Sequence, residues 1–127
     1  MTATKVYLVL SVLLWVPYGI YCLIVPAHLD GAAGVVAATP TGTTEIRAMY
    51  GGLQAAIGVM CAVALVRSEI ARPAMLAIAF LVSGLFLARI SGFFIDSSAS
   101  DYTNGVLVFE GSYALVTIFL LRRTVDG

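Results

Sequence analysis

Charged side chains are scarce in this chain: seven basic and seven acidic residues among 127, or 11%. A soluble domain carries about a quarter of its residues as charges, so this composition excludes an ordinary soluble surface. The charges that exist cancel to a formal net of zero. No electrostatic case for a nucleic-acid or strongly acidic partner follows. There is one histidine, His28. A lone imidazole without further ligands at metal spacing argues against a zinc site and suits a loop or interface residue, and neither metal nor cofactor is expected. The two cysteines, Cys22 and Cys61, form no C-x-x-C motif, which argues against a membrane thiol oxidoreductase.

What the chain has in excess is apolar residues, at 61%. So small a soluble chain has too little interior to hide them. A bilayer-spanning helix needs about 20 mostly apolar residues, because it rises about 1.5 Å per residue across about 30 Å of hydrocarbon. Four segments qualify: Val6 to Val25, Glu45 to Val66, Ala74 to Ile95 and Asn104 to Leu121. The expected fold is all-α, an antiparallel four-helix transmembrane bundle forming one domain over residues 1–127. The first segment has too long an apolar core for a signal peptide, and no small-x-small cleavage site follows it. Cys22 and Cys61 fall near opposite ends of their helices, roughly 15 Å apart in depth, too far to bridge.

The basic residues are not scattered. Lys5 precedes the first segment, Arg67 and Arg72 lie between the second and third, and Arg122 and Arg123 follow the fourth. The connections Pro26 to Thr44 and Asp96 to Thr103 hold neither Lys nor Arg. Basic loops stay on the cytoplasmic side, so both termini are expected there. The same bias disfavours a dual-topology exporter or channel. Pro17 interrupts the backbone donors of the first helix and predicts a kink. Thr43 or Thr44 can cap the second helix, and Thr103 or Asn104 the fourth.

The most informative stretch runs from Glu45 to Gly58. On a regular helix it places Arg47, Tyr50, Gly51, Gln54 and Gly58 on one face, at spacings of three, four and seven. Ala48, Gly52 and Ala56 then form a small-residue stripe opposite, suited to close helix packing. Arg89 lies six residues before Ile95 and Glu110 about six into the fourth segment, each roughly 9 Å deep. Helices joined by a short loop pack as antiparallel neighbours, so Arg89 and Glu110 are expected to form an ion pair. Tyr113 and Thr117 share the face of Glu110. A lone charge at mid-bilayer costs at least ~2.5 kcal/mol, and pairing removes much of that cost when the hydrogen bonds are satisfied. Such a pair can fix helix register without doing any chemistry. Arg47 is the surplus cation, to be balanced by Glu45 or by a ligand.

The opening Glu-x-Arg-Ala-x-Tyr-Gly-Gly of the second helix, Arg89 followed by Gly92, and Glu110 together resemble a family of small bacterial four-helix membrane proteins. That family is catalogued only as a domain of unknown function. The resemblance implies the fold and a bacterial inner-membrane location. It singles out Glu45, Arg47, Tyr50, Arg89 and Glu110, and it implies no reaction.

The first functional expectation is a small or amphiphilic, anionic molecule bound in an outward-facing polar pocket between helices 2, 3 and 4. Its candidate contacts are Arg47, Tyr50, Gln54, Arg89, Glu110 and Tyr113. The alternative is a non-catalytic subunit or assembly factor of a larger membrane complex, or a homo-oligomer, docking through the small stripes. An intramembrane lipid-modifying enzyme, with Glu110 as acid or base and Tyr50 as donor, ranks below both. No metal, nucleophile-base or phosphate motif supports it. The topology is checked by reporters: a fluorescent protein fused after Arg123 should shine from the cytoplasm, and a phosphatase inserted near Pro40 should be active. The reverse pattern overturns the assignment.

Overall fold

The computed structural model describes residues 2–123. The described chain is all-helical, and four helical stretches are long and apolar enough to cross a membrane: Ala3–Ile24, Pro40–Val66, Ser68–Ile95 and Asp101–Arg123. Each begins earlier than the hydrophobic pattern alone suggested, because polar residues start the helices. Thr2 caps α1 (Ala3–Ile24) by accepting from the Lys5 amide. Thr39, followed by Pro40 in the first turn, caps α3 (Pro40–Ile46) through the Gly42 amide. Thr43 and Thr44 instead lie inside that helix and donate back to the carbonyls of Thr39 and Pro40. Ser100, rather than Thr103 or Asn104, accepts the amide that opens the last helix. A hydroxyl oxygen at such a position satisfies a backbone donor that has no partner within the helix.

The chain divides between Ala71 and Arg72 into two compact units. In the first, α1 leads through a short helix α2 (His28–Ala33) to the second span, which consists of α3, a π-helical segment Arg47–Gly52, and α4 (Leu53–Val66). Gly34 ends α2 in the left-handed region, at φ 69°, where a residue without Cβ is unstrained. α1 passes through Pro17 as one helix.

The π segment changes the phase of the second span. Ile46 and Gly51 are both buried although five residues apart, and burial then returns at Ile57, Gly58, Cys61 and Ala64. A π turn holds more than four residues, so a regular 3.6-residue projection through Glu45–Gly58 loses register at this point. The outcome reverses the expected packing stripe. Ala48 and Ala56 are exposed, and a Cβ at Gly52 would meet only the Arg47 carbonyl oxygen, at 3.8 Å.

Gly51 and Gly58 are the residues pressed against α1. A Cβ at Gly58 would come within 2.8 Å of the Val16 backbone nitrogen. A Cβ on Gly19 of α1 would lie 2.8 Å from the Gly51 carbonyl oxygen and would strike the Ala55 backbone. A Cβ at Gly51 would meet Leu23 at 2.6 Å. Leu23 beside Gly51, Gly19 beside Ala55 and Val16 beside Gly58 show α1 and the second span running antiparallel with their backbones close. Ser11 and Cys61, both fully buried, lie lower in the first unit, where Ser11 donates to the Tyr7 carbonyl at 2.8 Å. Trp15 packs there as well, against Gly58. Where lipid replaces water, helices gain little from burying oily surface, and such close approach is what holds them together.

The second unit contains α5 (Ala71–Ile95) and α6 (Asp101–Arg123), joined by a short connection through Ser97. The Phe86 ring of α5 covers Gly111 of α6: a Cβ there would stand 3.1 Å from the ring. Cys22 and Cys61 are buried free thiols.

These contacts make the glycines unequal. Gly19→Ala and Gly58→Ala should each destabilise by ~1–3 kcal/mol, since the added methyl meets backbone that cannot step aside. Gly84→Ala meets nothing within 4 Å and should be neutral or gain up to ~1 kcal/mol of helix propensity. Unfolding of the detergent-solubilised chain against SDS mole fraction distinguishes them; equal midpoints for all three would be the contrary result.

Candidate functional site

Arg89 and Glu110 meet in the second unit. Arg89 Nε donates to Glu110 Oε2 at 3.0 Å and Nη2 donates to Oε1 at 2.9 Å. Two parallel bonds from one guanidinium edge to both carboxylate oxygens form the strong, orientation-specific version of this pair. The two partners are not equally enclosed: the Glu110 side chain is 6% exposed and that of Arg89 29%. A carboxylate so buried requires its partner, because leaving it alone in a low-dielectric interior costs several kcal/mol. Arg89 reaches it from six residues before the end of α5, roughly 9 Å along the axis. Around the pair, Tyr113 stacks on Phe109 at 5.7 Å. Fully buried Thr117 donates to the Tyr113 carbonyl at 2.7 Å.

Arg47, Tyr50 and Gln54 belong to the first unit. Arg47 opens the π segment, is exposed, and donates through Nη1 to the carbonyl of Leu23. Leu23 is the penultimate residue of α1. The last carbonyls of a helix have no partner within it and carry the negative end of its dipole. The Tyr21 carbonyl is satisfied by the Val25 amide, and the Leu23 carbonyl by Arg47. The bond ties the top of the second span to the end of α1. Among the described residues Arg47 has no carboxylate partner, and Glu45, also exposed, makes no ion pair. Tyr50 and Gln54 are half-buried. Neither makes a side-chain hydrogen bond among the described residues.

Sequence reasoning missed the setting of His28. Its ring packs edge-on to Tyr18 at 5.8 Å and tilted against Tyr21 at 4.7 Å, and its Nε2 lies 3.3 Å from the Cys22 sulfur. Of the loop or interface position expected, His28 takes the interface one: it opens α2 and pins it onto the end of α1. The signal was a spacing of ten, seven and six residues across Pro26, legible only once α2 is known to fold back. Beside α2, a cavity of about 180 Å³ is lined by Pro26, Ala27, Asp30, Val35, Val36, Ala37, Thr43 and Ile46. No group of three or more His, Cys, Asp or Glu side chains among the described residues could hold a metal ion.

A family model described as a domain of unknown function, DUF4345, matches residues 3–121. The chain belongs to the DUF4345 family. No match was found among curated proteins or among solved structures. Family membership therefore brings no ligand or reaction with it, and the four long apolar helices suggest a multi-pass membrane protein.

The uneven burial of the ion pair gives an asymmetric expectation. Glu110→Leu alone strands a guanidinium and should cost about 3 kcal/mol, the lower end for a broken buried pair, because Arg89 is partly exposed and can turn outward. Arg89→Met combined with Glu110→Leu should recover most of that loss. SDS-unfolding midpoints of the three proteins check this; a double variant weaker than Glu110→Leu is the opposite outcome.

Proposed function

We propose that this DUF4345 protein is a bacterial inner-membrane protein with both termini in the cytoplasm that binds an amphiphile through an anionic group of its head. Binding takes place at the extracytoplasmic end of its first unit, with Arg47 as the anion contact. The observation that carries the reading is the state of Arg47: exposed, without a carboxylate partner among the described residues, and held by the Leu23 carbonyl. A guanidinium has five donors in a fixed fork, and this tether orients the fork while using one of them. The π segment that Arg47 opens supports the reading, since such single widened turns recur at functional sites. Arg47 lies nineteen residues before Val66, roughly 28 Å up the helix axis, the level at which hydrocarbon gives way to headgroups.

The other candidates take supporting roles. Tyr50, one turn from Arg47, and Gln54 offer further donors. Arg89 and Glu110 neutralise each other, which removes Arg89 as the leading anion contact and makes the pair a fastener of the second unit.

A second reading rests on a different observation. Ala48 and Ala56 are exposed, and a Cβ at Gly52 would meet no side chain among the described residues. A stripe of that kind suits the close approach of a helix from another subunit, in keeping with a non-catalytic component of a larger membrane complex.

The experiment is lipid binding to the purified full-length chain. Phosphatidylglycerol should raise the thermal midpoint more than phosphatidylcholine. Arg47→Gln should weaken phosphatidylglycerol binding by about tenfold, the loss of one charge-assisted contact. Arg47→Gln indistinguishable from the parent at low and high salt would rule the reading out.

A further inference from the structure

The 180 Å³ cavity beside α2 adjoins the cationic site. Ile46, the residue before Arg47, lines it, and so does Pro26, three residues beyond the Leu23 carbonyl that Arg47 holds. On the other side the lining includes Asp30 of α2, an exposed carboxylate with no ion pair or side-chain hydrogen bond among the described residues. A surplus carboxylate thus lines this small hollow, and a surplus guanidinium is carried by the residue next in the chain to its lining residue Ile46, with no bond between the two charges. Resting on the reading of Arg47 as an anion contact, we infer that the site recognises a phosphodiester bearing a primary amine, the phosphoethanolamine group.

The chemistry of the lining selects the amine. Apart from Asp30 and Thr43 the walls are Pro26, Ala27, Val35, Val36, Ala37 and Ile46. They give a largely apolar hollow with room for a short two-carbon arm. An ammonium at the end of that arm needs hydrogen-bond acceptors. The Asp30 carboxylate provides them, and so does the Thr43 hydroxyl oxygen, whose own hydrogen is directed to the Thr39 carbonyl. A quaternary ammonium is bound by aromatic faces, and this lining holds none. The phosphate, left outside with its single negative charge, meets Arg47. A headgroup with phosphate and no amine satisfies Arg47 alone and leaves Asp30 with an unanswered charge.

The test uses the full-length chain in neutral detergent. Phosphatidylethanolamine, phosphatidylcholine and phosphatidylglycerol are offered in competition, with bound lipid counted by native mass spectrometry. Phosphatidylethanolamine should be preferred to phosphatidylcholine by about tenfold, the worth of one hydrogen bond to a charged group. Asp30→Asn should erase that preference while leaving phosphatidylglycerol binding no weaker. Ala37→Leu, which fills the recess without altering charge, should erase it too. Soluble glycerophosphoethanolamine is the fourth probe: a thermal shift removed by Asp30→Asn assigns the group to a free metabolite as well as a lipid, and its absence assigns it to the lipid alone.

The inference is overturned if the parent chain holds phosphatidylcholine as well as phosphatidylethanolamine, or if both variants keep the tenfold preference. Its failure is distinct from failure of the underlying reading. Phosphatidylglycerol binding lost in Arg47→Gln, with no amine preference in the parent, sinks only the amine. Phosphatidylglycerol binding intact in Arg47→Gln sinks both.

Discussion

Hydrocarbon offers no hydrogen bonds, so every acceptor this chain buries must find its donor within the chain. One acceptor is deeply buried, the carboxylate of Glu110 inside α6, and another, the carbonyl of Leu23, stands at the exposed end of α1. Each is answered by a guanidinium from another helix, Arg47 in one unit and Arg89 in the other. The two arginines nevertheless end in different electrical states. Arg89 meets a full negative charge and is neutralised. Arg47 meets only the partial charge of a helix end and keeps its cation. The case for function at the first unit, and for a fastening role in the second, comes from that difference.

The glycine seam of the first unit serves the same constraint. Bringing α1 within backbone contact of the second span lets a side chain on one helix reach a carbonyl of the other. Bulky residues at 19, 51 and 58 would separate the helices. The π segment belongs to this arrangement. It takes up one residue between Ile46 and Gly51, so that both are buried while Arg47, between them, opens the widened turn. α2, pinned through His28 to Tyr18, Tyr21 and Cys22, closes the same end and sets Asp30 beside the hollow.

Much of this was legible in the residues. Hydropathy alone placed four helices to within a few residues, because the demand for about 20 apolar residues per span is severe. The shortfall at the helix starts has a simple origin: Thr39, Ser100 and their neighbours are polar, so a hydrophobic window stops short of the turns they cap. Depth counting set Arg89 and Glu110 at one level, and in the structure they form a two-bond ion pair. Depth is a one-dimensional property and can be counted along a sequence. The facing of the second span could not be read the same way. Its regular projection assigned close packing to Ala48, Gly52 and Ala56, whereas the structure packs Gly51 and Gly58.

By itself, then, the sequence determined the number of helices long and apolar enough to cross a membrane, and the scarcity of charge that makes each arginine consequential. Those properties follow from composition and length. Only the tertiary structure decided which arginine is paired with a carboxylate, which glycines touch a neighbour, and that Asp30 and Ile46 line one hollow. Each of these depends on the azimuth of a side chain about its helix. A single widened turn rotates everything beyond it by about the 100° that separates successive residues, and no property of the residues Arg47–Gly52 taken alone announces that turn.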